Sequence, residues 1–192
     1  MLKIGLSFGR VCYKLPALVK WTPRKRSGED SAMAATAREV AKWFIARSNQ
    51  PGEFRQCSNK KLQKLVYYAQ AWHLALYEEP LFEDEIEAWI HGPVVPNVYR
   101  EYKKFGYNPI AGYQKLPTMD EQTSDLLNQV WEIYGSKDAN YLEFLTHSEL
   151  PWQATRATLE ADERSTAVIS HELMQSFYSG LLKTEDDDRQ DG

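Results

Sequence analysis

The sequence predicts a mainly α-helical domain of about six to seven helices with a short β element near residues 86–90. Three observations support this prediction. Apolar residues recur at i, i+3 and i+4 over several long stretches, as on one face of a helix. Proline and glycine fall between these stretches, where they end helices. Acidic residues are interleaved with Ile86, Ala88 and Ile90, and this alternation over 86–90 is typical of a short strand.

The first two helices follow directly from this spacing. The first is predicted over about 34–48 and ends before Pro51-Gly52. The second is predicted over about 59–78, with Ser58 as its N-cap. Its apolar stripe predicts a helix packed on the core, and Lys60, Lys61, Gln63 and Lys64 are expected on its other faces.

Further helices are predicted along the rest of the chain. The stretch HGPVVP is expected to be a turn, and Pro96 suits the first position of a helix that runs to about 105. Thr118 and Glu121 have capping-box spacing before a helix over about 120–134. Helices are also expected over about 138–147, 151–159 and 170–182.

Charge divides the chain into three parts. Residues 1–32 hold seven basic and two acidic side chains, so they carry +5 of the net charge of −4 and the remainder carries −9. We interpret 1–32 as a basic N-terminal extension without order, or as a stretch upstream of a start at Met33. Residues 33–182 form the predicted domain, and 183–192 an acidic disordered tail. Phosphate contacts need Lys and Arg, so the acidic domain argues against nucleic acid as a partner.

The sequence indicates a cytoplasmic protein. Its two cysteines, Cys12 and Cys57, lie far apart and suggest neither a disulfide framework nor a metal knuckle. No run of about 20 apolar residues is present, so no membrane span is expected. Basic residues interrupt the apolar residues of the N-terminus, which excludes the apolar centre of a signal peptide.

No catalytic motif is present, and we predict neither an enzyme, a metal site nor a cofactor. One open alternative is a thiol nucleophile at Cys57 with His73 or His91 as base. A free cysteine more often acts as a small apolar residue. His91 precedes Gly92-Pro93, and its ring is expected to orient the turn, with pH sensing as the alternative.

The central segment resembles the Panacea domain family of SocA-like antitoxins. The resemblance rests on KLQKL at 61–65, YYAQ at 67–70 with Trp72, PLF at 80–82, EAWIHGPVVP at 87–96, Tyr99 and Tyr102, and the distal Leu145-Thr146-His147 and Pro151-Trp152. It extends over about residues 34–182. It implies a mostly helical antitoxin that binds a toxin protein and suppresses its activity. At least one family member resembles an adaptor that delivers its toxin to a cytosolic AAA+ protease, and some are described only as phage-associated proteins.

Five functions follow as hypotheses. Toxin neutralisation by direct binding comes first, and a proteolytic adaptor or a phage-encoded regulatory protein is the alternative. An enzyme that uses Cys57 ranks lower. A DNA-binding repressor also ranks lower, since no helix-turn-helix with a basic recognition helix is visible. The predicted partner-binding residues lie around the turn, which suits either partner contact or packing against the second helix. They are Trp89, His91, Gly92, Pro93, Val94, Val95, Pro96, Tyr99 and Tyr102.

Overall fold

The computed structural model describes residues 35–112 and 115–187. The predicted extension 1–32 and the last residues of the predicted tail, 188–192, lie outside these ranges. The described part contains seven α-helices, a 3-10 turn at Lys103–Phe105 and a two-stranded antiparallel sheet. The helices are α1 (Ala37–Ser48), α2 (Asn59–Tyr77), α3 (Pro96–Tyr102), α4 (Glu121–Tyr134), α5 (Ala139–His147), α6 (Leu150–Thr155) and α7 (His171–Asp187), and the strands are β1 (Glu87–Trp89) and β2 (Gly92–Val94). The predicted mainly α-helical class is confirmed.

Helix α2 is the centre of the fold. It packs against α1, α4, α5, α7 and the hairpin formed by β1 and β2, so it has neighbours on all sides. Every residue from Lys61 to Leu74 is buried. Lys61, Gln63 and Lys64, which were predicted on other faces than the apolar stripe, are buried as well, because neighbouring elements also cover those faces along this stretch.

Aromatic side chains fill the core around α2. The Tyr68 ring stacks on Tyr134 of α4 with 3.9 Å between ring centroids, and the Trp72 indole N–H donates to the Tyr134 hydroxyl at 3.0 Å. The edge of the Trp72 ring meets Tyr178 of α7 at 4.8 Å. Stacked and edge-to-face pairs of this kind add to the free energy gained by burying the rings. They join α4 and α7 to the central helix.

Several helix ends follow the predicted signals. Ser58 caps α2 by accepting from the Lys61 backbone N–H, and Pro96 is the first residue of α3. Ser170 accepts from the Leu173 N–H at the start of α7. A capping box of Thr36 and Glu39 starts α1 at Ala37, three residues after the predicted start. These caps satisfy N–H groups that have no partner within the helix.

Other boundaries differ from the prediction. The cap of α4 is Asp120 rather than Thr118, because its carboxylate accepts from both the backbone N–H and the hydroxyl of Thr123. The stretch HGPVVP is not one turn: the turn is at Ile90-His91, and Gly92–Val94 is a strand. Helix α6 ends at Thr155 instead of 159, and α7 continues to Asp187 instead of ending near 182.

No helix in the described ranges has the length and apolar character needed to cross a membrane.

Gln70 of α2 holds the irregular segment that follows this helix. Its side-chain oxygen accepts from the backbone N–H groups of Leu81 and Phe82 at 2.9 and 3.2 Å. Its side-chain nitrogen donates to the Phe82 carbonyl oxygen at 2.9 Å and lies 3.0 Å from His171 Nε2. One fully buried amide thus supplies the hydrogen bonds that a strand partner would otherwise provide.

We expect Gln70→Leu to lower the free energy of unfolding by about 3 kcal/mol, because it leaves buried backbone groups of Leu81 and Phe82 unpaired. Urea denaturation followed by circular dichroism measures this change. The matched control is Gln175→Leu on the half-buried surface of α7. Equal, small effects of the two substitutions would contradict the role given to Gln70.

Candidate functional site

The candidate site is the β hairpin and the start of α3. Strands β1 and β2 pair with Glu87 opposite Val94 and Trp89 opposite Gly92, which leaves Ile90-His91 as the connecting turn. Gly92 has a φ of +92°, a conformation that strongly favours glycine. The hairpin therefore turns tightly and places His91 at its tip.

Lys64 lies directly beneath the tip. Its ammonium group donates to the Pro93 carbonyl oxygen at 3.0 Å, and its side chain is only 1% exposed. A Cβ atom at Gly92 would lie 2.7 Å from Lys64 Nζ and 2.8 Å from the Thr146 hydroxyl. Burial lowers the Lys64 pKa to about 7. Gly92 is thus required both for its backbone conformation and for the space that the lysine occupies.

Gln63 fixes the exit of the hairpin in the same way. Its side-chain oxygen accepts from the Val95 N–H at 2.9 Å, and its side-chain nitrogen donates to Asn59 Oδ1 at 3.2 Å. The Asn59 side chain in turn donates to the Tyr99 carbonyl oxygen in α3 at 3.4 Å. Polar residues on one side of α2 therefore set the position of β2 and of α3.

The opposite edge of the hairpin is held by the C-terminal part of the domain. The Ala88 N–H donates to Ala167 at 2.8 Å, and Arg156 donates to the Ala88 carbonyl oxygen at 2.9 Å. The Trp152 indole N–H donates to the Trp89 carbonyl oxygen at 2.9 Å. Both edges of the hairpin are thus bonded to the body of the domain, which gives a fixed surface rather than a loose loop.

The predicted partner-binding residues divide into two groups by exposure. Gly92, Pro93, Val94, Val95 and Tyr102 are buried and support the hairpin from within. His91 is exposed, and Trp89, Pro96 and Tyr99 are half-buried. The edge of the Trp89 ring meets Tyr99 with 5.0 Å between centroids. The accessible part of the predicted site is therefore formed by these last four residues.

A charged group borders this surface. The Glu143 carboxylate of α5 lies 2.7 Å from His91 Nδ1 and also pairs with Lys60. Hydrogen bonds from Lys60 and His91 outweigh the effect of burial and lower the Glu143 pKa. The Glu143 carboxylate of α5 thus orients the His91 ring in the hairpin turn. The position of His91 next to Gly92-Pro93 in the sequence did not predict this contact.

A buried carboxyl group was missed at the sequence level. Glu149 is fully buried and accepts from the Tyr178 hydroxyl at 2.7 Å and the Tyr68 hydroxyl at 3.1 Å. Burial raises its pKa to about 8, although the tyrosine hydrogen bonds act in the opposite direction. The group joins α2, α6 and α7. The only sequence signal for a buried polar group was the presence of tyrosines at 67, 68 and 178, since buried tyrosine hydroxyls need hydrogen-bond partners.

The proposed thiol nucleophile has an unsuitable environment. Cys57 is 1% exposed, and burial raises its pKa to about 12. A reactive cysteine needs a lowered pKa and access to substrate. His73 lies 2.7 Å from the Glu79 carbonyl oxygen, and His91 pairs with Glu143. Cys57 therefore acts as a packing residue.

The described residues were also compared with the side-chain arrangements that bind metal ions. Across residues 35–112 and 115–187, no group of three or more His, Cys, Asp or Glu residues is arranged to hold a metal ion.

Comparison with known proteins gives one family. Residues 62–153 match the family described as antitoxin SocA-like, Panacea domain. The resemblance stated from the sequence motifs is thereby confirmed, and the match supports an antitoxin-type role. The matched segment contains the hairpin, Lys64, Gln63 and Glu149. No curated protein and no solved structure matches the chain.

Gly92→Ala is expected to lower the free energy of unfolding by about 2–4 kcal/mol, because the methyl group adds a buried clash to an unfavourable φ. Gly52→Ala separates the two effects, since Gly52 has a φ of +81° and open space around it. Gly52→Ala should lower the free energy of unfolding by about 1 kcal/mol. Chemical denaturation measures both, and equal losses would show that Lys64 and Thr146 do not restrict the Gly92 position.

The stability of the wild-type protein should fall relative to Glu149→Gln as the pH rises from about 4.5 to about 8. In this range the unfolded state loses the Glu149 proton, whereas the folded state, with its pKa raised to about 8, keeps it. The difference in unfolding free energy should change by at most about 1.4 kcal/mol per pH unit and level off outside the range. Urea denaturation at a series of pH values measures the difference, and a flat difference would contradict the raised pKa.

Proposed function

We propose that this chain is an antitoxin that neutralises a cognate toxin protein by direct binding through its hairpin surface. This surface is defined by Trp89, His91, Pro96 and Tyr99. The family match over residues 62–153 supports the antitoxin role. The observation that carries the choice of surface is the support of the hairpin from both sides by buried hydrogen bonds.

A fixed surface favours binding because little conformational freedom is lost when the partner docks. Lys64 and Gln63 hold the inner side of the hairpin, and Arg156 and Trp152 hold its outer edge. The aromatic pair of Trp89 and Tyr99 is half-buried, so part of each ring is available to a partner. Tryptophan and tyrosine are enriched among residues that dominate binding energy.

Charge gives the partner a further property. Residues 33–192 carry a formal charge of −9, since they hold 25 acidic and 16 basic side chains. An acidic domain attracts a basic toxin surface and speeds its association. The proposed toxin therefore presents a basic face to this domain.

The test is a rescue assay in which the full chain is co-expressed with the product of the adjacent gene, and growth and co-purification are scored. The wild-type chain should restore growth and form a stable complex. The double variant His91→Ala/Tyr99→Ala should lose affinity by about tenfold or more, because two contact side chains are removed. Val168→Ala, at an exposed apolar residue outside the hairpin surface, is the matched control.

The outcomes separate the mechanisms. Rescue with a stable complex supports neutralisation by binding. Rescue in which the toxin disappears without a stable complex supports the alternative, an adaptor for a AAA+ protease. Full rescue and an unchanged complex for the folded double variant would contradict the hairpin as the contact surface.

A further inference from the structure

A second surface lies away from the hairpin, at the mouth of a groove of about 370 Å³. Two aromatic side chains flank it, Phe54 and Tyr107, which are 86% and 92% exposed. Lys61 and Lys137 also line it, and the loop between α4 and α5 forms one wall. Large apolar side chains exposed together beside a concave surface are typical of a binding site.

The two aromatic residues belong to different loops that are tied together. Phe54 precedes α2, and Tyr107 follows the 3-10 turn. The Ile110 N–H donates to the Cys57 carbonyl oxygen at 2.9 Å, and the Asn49 side chain donates to the Ile110 carbonyl oxygen at 2.9 Å. These bonds hold the bases of both loops in place. The exposure of the two rings is therefore not the result of one unattached loop.

The residues that line the groove include three cationic side chains, Arg55, Lys61 and Lys137, and one carboxylate, Asp138. Arg55 is paired with Glu53 and Glu132, and the Asp138 carboxylate accepts from the backbone N–H groups of Asn140 and Tyr141. In contrast, neither Lys61 nor Lys137 lies within 4.0 Å of a carboxylate in the described ranges. Their ammonium groups lie 5.6 Å from the Trp131 ring centroid and 5.5 Å from the Tyr141 ring centroid, so an anion that pairs with them would not have to displace a carboxylate.

Lys61 is the residue that points most directly to a ligand. Its side chain is only 6% exposed, and its ammonium group donates to the Gly135 carbonyl oxygen at 2.6 Å. An ammonium group has three donors, and a buried one is costly unless it is well paired. Burial lowers the Lys61 pKa, and the Glu53 and Asp138 carboxylates offset this effect only in part. An anion in the groove would favour its charged form.

We infer that this groove binds an acidic peptide segment of a partner protein. A carboxylate of the segment pairs with Lys61 and Lys137, and an apolar side chain of the segment packs between Phe54 and Tyr107. A short segment is favoured over a nucleic acid, because residues 33–192 carry a net formal charge of −9, which repels a long polyanion more than a short one. The inference does not depend on the proposed function, since the groove and the hairpin surface share no residue.

The test is fluorescence anisotropy with the full chain and a fluorescein-labelled peptide of sequence EFDEFD. We expect saturable binding that weakens at high salt. The double variant Phe54→Ala/Lys137→Glu should raise the Kd by about tenfold or more, because it removes an apolar contact and reverses a charge. The matched control, Phe144→Ala/Lys42→Glu, makes the same changes at exposed positions outside the groove and should leave the Kd unchanged.

Other results would overturn the inference. These are an equal loss of affinity in both double variants, equal binding of a KFKKFK peptide, or tighter binding of a labelled oligothymidine that competes with the acidic peptide. The chain's own C-terminal acidic segment could compete with the peptide. A further variant therefore removes its charges by Asp186→Asn, Asp187→Asn, Asp188→Asn and Asp191→Asn. If this raises peptide affinity by about tenfold, the chain's own segment occupies the groove instead of a partner.

Discussion

The structure depends on polar side chains that project from the buried stretch of α2, from Lys61 to Leu74. Along α2, Lys61, Gln63, Lys64 and Gln70 bond to backbone groups of four separate connections: the α4–α5 loop, the start of α3, the hairpin and the segment after α2. Buried backbone groups must find partners, and irregular segments cannot pair with themselves as a helix does. The central helix supplies those partners, so the connections are as fixed as the helices that they join.

This arrangement places ionisable groups in the core, with consequences for stability. Burial lowers the Lys64 pKa to about 7 and raises that of Glu149 to about 8. The contribution of Lys64 to stability therefore falls as the pH drops from 10.5 towards 7, whereas that of Glu149 falls as the pH rises from 4.5 towards 8. Together the two groups stabilise the fold least near pH 7 to 8. The same two groups bond to the hairpin and to α7, so they also help to fix these elements in one arrangement.

The helices were predictable because apolar spacing reports one buried face, and caps such as Ser58 and Pro96 have local signals. The burial of Lys64 was not predictable from α2 alone, since it depends on how many elements surround that helix. The same limit applies to Glu149, whose tyrosine partners are distant in sequence. The motif around Gly92 predicted candidate residues that the structure places in and beside the hairpin, but spacing could not show that Tyr102 is buried or that Glu143 contacts His91. The groove depends on loops joined by long-range bonds, so no local pattern marks it.

The two proposed surfaces are linked through one turn of α2. Lys61 lies in the groove and Lys64 beneath the hairpin, and residues at i and i+3 are neighbours along one side of a helix. A small shift or rotation of this turn would change both the support of the hairpin and the position of the groove ammonium group. Close packing around α2 resists such movement, because a dense core does not deform continuously. The same packing that fixes each surface therefore also fixes their relative position. Partners bound at the two surfaces would accordingly be held at a constant distance and orientation.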